Sequence, residues 1–187
     1  MKQRKIVIIR GATTAGKSTI SHELAKVLPE WIFIDSWKIK EMFEPLQLQD
    51  RSVPNAITKE ATLLIIRKVI ENLKLNIIVQ ENTQDFLKKK LHKELQGNKY
   101  RIYSFYLNVS YQTAITRDKE REKPTLHLGK RHSSEEMWNS KKPVIHKEDT
   151  IIDTSNKSIS ETVSLILKEI HEKRKKHPFI ESLRKSW

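Results

Sequence analysis

Residues 11 to 19 read "GATTAGKST", with the apolar stretch "KIVII" (5 to 9) before them and "ISHELAKVL" (20 to 28) after. The chain has four glycines, and two of them stand here, five positions apart and next to a lysine. Glycine admits backbone conformations and close approaches that a Cβ blocks, so successive N–H groups can converge on one concave space. A helix starting near Lys17 aims the positive end of its dipole at that space. The pattern Gly-x-x-x-x-Gly-Lys-Ser is complete in Gly11, Gly16, Lys17 and Ser18. It follows a strand-like run and precedes an amphipathic helix whose apolar stripe is expected at Ile20, Leu24, Val27 and Leu28. Such a loop holds phosphate. Gly11, Ala12, Thr13, Thr14, Ala15, Gly16, Lys17, Ser18 and Thr19 form the expected cradle, with Lys17 on the β and γ phosphates and the Ser18 hydroxyl on Mg²⁺.

At 187 residues the chain suits one domain, 1–187, long enough to bury about 70% of the surface its unfolded form exposes. No run of eighteen apolar residues occurs, so no membrane span is expected. The start "MKQRKIVIIRGATTAG" is basic, but its apolar run is too short for a signal peptide and reads as a strand. With no cysteine, disulfides and thiolate chemistry are excluded, and a cytoplasmic location is expected. The net charge of +13 makes nucleic acid a possible partner. Lysine outnumbers arginine 26 to 10 in a chain also rich in isoleucine and asparagine, a bias that weakens the charge as a pointer. The basic tail at about 171–187 reads as a solvated helix end.

Strand-like and helix-like periods alternate along the whole chain, which predicts an α/β fold with a mostly parallel sheet of five strands. The expected strands are 5–9, 31–34, 76–80, 101–109 and 150–152. Between them, Ile57, Ala61, Leu64, Ile65 and Val69 suggest one buried helix face, and Leu87, Leu91 and Leu95 another, with Gly97 as a stop. Capping-box spacing occurs at Ser133/Glu136 and at Ser158/Glu161, the second opening a helix with an Ile159, Val163, Ile166 and Ile170 stripe. Residues 44–55, with two prolines, read as a loop that either connects or covers substrate, and Arg51 within it is a substrate-binding candidate.

In parallel α/β sheets ligands gather at the carboxyl ends of strands, where Asp35, Glu81 and Asp153 stand. Asp35 can take the proton of an alcohol acceptor during phosphoryl transfer, or simply cap a helix beginning near Trp37. Glu81 can hold a water on Mg²⁺ or bind the acceptor hydroxyl. Arg117 and Arg121, four apart on an expected helix, share a face and suit a clamp on transferring phosphate. The histidines lack ligand spacing. "TSNKS" (154 to 158) has Ile159 where a guanine-reading acid would stand.

These features resemble the P-loop NTPases with a nucleotide-kinase-like fold, a three-layer α/β sandwich with a helical lid, here about 110–142. The stretch "GATTAGKSTISHELAKVLPEWIFIDS" is similar to chloramphenicol phosphotransferases, in which an Asp-Ser pair after the second strand supplies the base. The resemblance implies that role for Asp35. "NIIVQENT" is similar to polynucleotide kinase domains and the zeta-toxin-like group. Arg117-x-x-x-Arg121 is similar to the lid arginines of nucleotide kinases, the first of which commonly packs on adenine. "DTSN" matches the region bordering the ATP base, which implies Asp153 and Thr154 there. The Asp-Gly-x-Pro-Arg element of adenylate and cytidylate kinases and the glycine-rich substrate motifs of shikimate kinases are absent. The expected activity is ATP- and Mg²⁺-dependent phosphorylation of a small-molecule hydroxyl. The alternatives are a polynucleotide 5′-hydroxyl kinase and a nucleotide-hydrolysing switch.

Overall fold

The computed structural model of the chain describes residues 3–12, 14–43, 52–81, 86–94, 100–120, 126–127, 130–131 and 144–172. Five strands form one sheet: β1 (Arg4–Gly11), β2 (Ile32–Asp35), β3 (Ile77–Gln80), β4 (Tyr100–Asn108) and β7 (Thr150–Asp153). Their order is β2-β3-β1-β4-β7, and every neighbouring pair is parallel. The expected five-stranded sheet is therefore present, and it is wholly parallel. Covered on both faces, β1 and β3 carry the continuous apolar runs "IVII" and "IIV" with no polar alternation.

Side chains on successive strand residues point to opposite faces. Val7 and Ile9 pack with Ile20 and Leu24 of α1 (Lys17–Val27) and with Val163, Ile166 and Ile170 of α6 (Ile159–His171). Ile6 and Ile8 pack on the other side with Leu63 and Ile66 of α3 (Ser52–Lys68) and with Leu87 and Leu91 of α4 (Phe86–Glu94). Helices on both faces of a parallel sheet make the three layers. The chain also forms α2 (Ser36–Glu41), α5 (Tyr111–Lys119) and the short antiparallel pair β5 (Leu126–His127) and β6 (Lys130–Arg131). The segment expected to form a lid, about 110–142, thus contains a strand pair as well as a helix. Residues 95–99, 132–143 and 173–187 lie outside the described residues, and with them the expected stop at Gly97, the Ser133/Glu136 start and the basic tail.

Two expected helix faces are corrected. In α3 the buried residues include Thr58, Thr62, Leu63 and Ile66, whereas Ile57, Leu64 and Ile65 are 42%, 52% and 40% exposed. The helix is apolar on more than one side, so periodicity could not choose between faces. The sheet selected the one carrying small threonines, and Thr62 meets its polar need by donating to the Thr58 carbonyl at 2.7 Å. The helix also begins at Ser52, inside the segment expected to be a loop. Pro54 is tolerated because it stands in the first turn, where no intrahelical N–H partner is required. In α1, Ile20 and Leu24 are buried while Val27 is exposed in the last turn. The Ser158/Glu161 capping box is formed as expected.

Gly11 and Gly16 both hold a positive φ, +143° and +87°, and Gly11 has a steric demand besides. Gly11 pairs with Leu107 across the β1–β4 ladder, and a Cβ there would lie 2.2 Å from the Leu107 carbonyl oxygen. Gly16 has open space around it, but its φ of +87° is a left-handed conformation. Gly11→Ala should therefore separate β1 from β4 and destabilise the fold by about 1–3 kcal/mol. Gly16→Ala should cost only the backbone strain, about 1–2 kcal/mol. Urea unfolding of the two variants checks the order.

Candidate functional site: a phosphate loop and the cleft beside it

The loop joins the end of β1 to α1. Gly16 is the N-cap residue of α1, no side chain caps the helix, and its first turn has no acidic residue. The N-terminus of α1 is thus left without a capping side chain from Gly16, which is the arrangement that receives an anion. Lys17 folds back over the loop, its Nζ 3.0 Å from the Gly11 carbonyl and 2.7 Å from that of Ala12. Thr14 adopts a φ of +65°, uncommon for a β-branched residue, and is buried. Ala12, Thr14, Ala15 and Gly16 thus line a bend whose shape is set by the sheet on one side and the helix on the other. Ser18 and Thr19 lie exposed in the first turn of α1. Thr13 lies outside the described residues.

A cleft of about 270 Å³ opens beside the loop, between Thr14, Gly16 and Thr19 on one side and Arg117, Thr154 and Lys157 on the other. Thr154 organises it. Its N–H donates to the Asn108 carbonyl, and its hydroxyl lies 2.9 Å from that same carbonyl and 3.3 Å from Ala15 O. The Arg117 guanidinium, reaching over from α5, donates to Thr154 O at 2.6 Å and to its hydroxyl at 3.3 Å. The end of β7 is thereby tied to the phosphate loop and to α5 at a single buried residue. Asp153 shapes the turn next to it, accepting from the Ser155 N–H and hydroxyl at 2.9 and 2.6 Å. The Ser155 hydroxyl first and its N–H second hold the Asp153 carboxyl below the usual carboxylate range. Thr154 lines the cleft, as do Lys157 and Ser158. Sequence reasoning tested Lys157 only within a guanine-reading pattern and read Ser158 only as a helix cap.

On the other side of the loop, β2 and β3 bring three polar residues together. Asp35 caps α2: its Oδ1 accepts from the Trp37 N–H at 3.0 Å, its one partner among the described residues. Asp35 stands opposite Gln80 in the β2–β3 ladder, and Ile9 stands opposite Gln80 on the far side. Ser36 pins the start of α2 by donating to the Gln80 carbonyl at 2.7 Å. The Gln80 side chain is buried and its Nε2 lies 3.1 Å from Ser18 Oγ. Glu81, 3% exposed, turns away and accepts from the Leu87 N–H at 2.8 Å, at the start of α4. The residue at the Ser18 hydroxyl is thus Gln80, which the sequence did not single out. The strand alternates faces, and the last strand residue, one position earlier, is the one directed at the loop. A polar glutamine closing an otherwise apolar strand was the signal available. Arg51 and Arg121 lie outside the described residues.

No protein-family model matches the chain, and no curated protein does. Solved structures match over most of its length. APS kinase of Mycobacterium tuberculosis, solved with AMPPNP and APS, gives a TM-score of 0.67 at 12% identity, covering 92% of this chain and 100% of that one. A sugar kinase from Janibacter sp. gives 0.63 at 14% identity, covering 89% and 94%. A gluconokinase from Sinorhizobium meliloti gives 0.57 at 16% identity, covering 90% and 92%. With the parallel sheet and the phosphate loop at the end of β1, these likenesses define the fold. The chain has the fold of the nucleotide-kinase-like P-loop proteins. Among the described residues no helix is long and apolar enough to cross a membrane.

Proposed function

We propose that the chain is a kinase that uses ATP with Mg²⁺ to phosphorylate a hydroxyl of a small molecule. The observation that supports this most is the placement of Asp35 at the same sheet end as the uncapped start of α1, with only β3 between β2 and β1. The N–H groups of the loop and the Lys17 ammonium hold the phosphates. Arg117, Thr154 and Lys157 line the cleft that takes the base. The residues suit Mg²⁺: Ser18 offers an exposed hydroxyl, and the described residues contain no cluster of three His, Asp or Glu that would hold an ion without nucleotide. When bound beside Ser18, Mg²⁺ would supply charge neutralisation for the nucleotide's phosphates.

Asp35 acts on the acceptor. The Trp37 N–H holds one carboxylate oxygen, which fixes the orientation of the group. The other oxygen receives the acceptor's hydroxyl proton while the acceptor oxygen bonds to the γ-phosphorus and the bond from that phosphorus to the ADP oxygen breaks. The acceptor is taken to be small because the structural neighbours are named for APS, sugar and gluconate phosphorylation. A screen of hydroxyl compounds with ATP turnover as readout tests the reading. Turnover stimulated by a small acceptor supports it. Phosphorylation of only a 5′-hydroxyl oligonucleotide moves the acceptor to nucleic acid, and hydrolysis that no acceptor stimulates makes the chain a switch. Lys17→Ala should lower transfer by at least about 10²-fold, because it deletes a charge directed at the phosphates, while leaving the unfolding midpoint near that of the parent. Wild-type turnover in this variant would place the active site elsewhere.

A further inference from the structure

The cleft has two halves that hang from different strands. Thr14, Ala15 and Gly16 follow β1, whereas Thr154, Lys157 and Ser158 follow β7. β4 lies between these strands, which sets them about 10 Å apart at the usual strand spacing. Among the described residues β7 is a four-residue edge strand, paired on one side only, with Phe105 to Asn108 of β4. So short an edge has few backbone bonds to resist displacement. Side chains tie it to β1 at both ends. At its end the Thr154 hydroxyl lies 3.3 Å from Ala15 O in the phosphate loop. At its start Arg10, directly before Gly11, reaches across β4 over the ring of Tyr106, its own ladder partner, and donates to Asp149 Oδ2 at 2.9 Å. The Ser104 hydroxyl at 2.6 Å and the His146 N–H at 2.8 Å hold the Asp149 carboxylate in turn. Residues 10 and 15 thus bracket the loop, and residues 149 and 154 bracket β7.

We propose that Arg10 and Asp149 are positioning residues for the nucleotide, fixing β7 against β1 so that the phosphate half and the base half of the cleft stand at the separation that one nucleotide spans. This rests on the nucleotide-binding reading above. Stability alone does not call for a buried ion pair, since apolar side chains of similar volume often serve as well. Neither residue lines the cleft, so the pair acts on the spacing of the two halves and on neither half by itself. A ligand that engages both halves gains from linkage only while their spacing matches it, and a fragment that engages one half has no such dependence.

The test compares the parent chain with Arg10→Met/Asp149→Leu, in which apolar side chains replace the pair. Three ligands are used: a non-hydrolysable ATP analogue, followed by calorimetry, and inorganic tripolyphosphate and adenosine, one for each half, followed by nuclear magnetic resonance titration. In the variant the analogue should bind about 3- to 30-fold more weakly. Tripolyphosphate and adenosine should each bind within about twofold of the parent, because neither spans the two halves. Thermal unfolding verifies that the variant is folded at the temperature used. Arg10→Lys keeps the cation but cannot meet Asp149 and the Val144 carbonyl together as the guanidinium does. It should show the same pattern, and it replaces the double variant should that one not fold. Unchanged analogue binding in a folded variant makes the pair structural only and overturns the inference, as does equal weakening of all three ligands. Both of those results leave the nucleotide reading standing. Failure of the parent chain to bind the analogue overturns that reading and the inference with it.

Discussion

Asp35→Asn is expected to reduce phosphoryl transfer by about 10²- to 10⁴-fold while nucleotide binding and stability stay close to those of the parent. The separation follows from the double position of the side chain. As the N-cap of α2, Asp35 needs only an acceptor oxygen for the Trp37 N–H, and asparagine caps a helix about as well as aspartate. As the base it needs a carboxylate, which asparagine lacks. Transfer measured with the true acceptor at saturating ATP distinguishes the roles by orders of magnitude. Near-parental transfer would make the residue a cap alone. Asp35→Ala would confuse the two, because it removes the cap along with the base.

Asp149→Ala is expected to destabilise the fold by about 3–5 kcal/mol, measured by urea unfolding. Arg10 is the last residue before Gly11, and its side chain is buried with that of Asp149, the two being 2.9 Å apart and 2% and 0% exposed. The guanidinium also donates to the Val144 carbonyl at 2.8 Å and lies over the Tyr106 ring. Asp149 receives the Ser104 hydroxyl at 2.6 Å and the His146 N–H at 2.8 Å. Deleting the carboxylate leaves a buried cation and two buried donors without their acceptor, so several penalties coincide. Removing the cation as well, in Arg10→Met with Asp149→Leu, should recover part of the loss. The recovery is incomplete because Ser104 and His146 remain unsatisfied. A loss below about 1 kcal/mol in Asp149→Ala would mean that water reaches the pair.

The phosphate loop was legible because its chemistry is local. Two glycines, a lysine and a serine at fixed spacing, between an apolar strand and a helix, specify a backbone conformation with little help from distant residues. The five strands were legible for a related reason: a strand buried on both faces must be apolar throughout, and short runs such as "KIVII" and "NIIVQ" have no other stable use in a chain otherwise rich in charge. The last helix announced itself by a capping box that needs only four consecutive residues.

Sequence by itself thus determined the five main strands, the parallel class of the sheet and the phosphate-loop motif, because each rests on contacts within a few residues or on a period of two or 3.6. Only the tertiary structure decided the strand order, which of two apolar faces of α3 meets the sheet, and which residue after the loop meets Ser18. Those outcomes depend on pairing between strands far apart in sequence, such as Ile9, Gln80 and Asp35 side by side. Arg10 and Asp149 make the same point. An arginine in an apolar strand reads as an exception until its partner, 139 residues away, is brought against it. Burial of a charge is favourable only when the opposite charge is delivered by the fold, and no local period records that delivery.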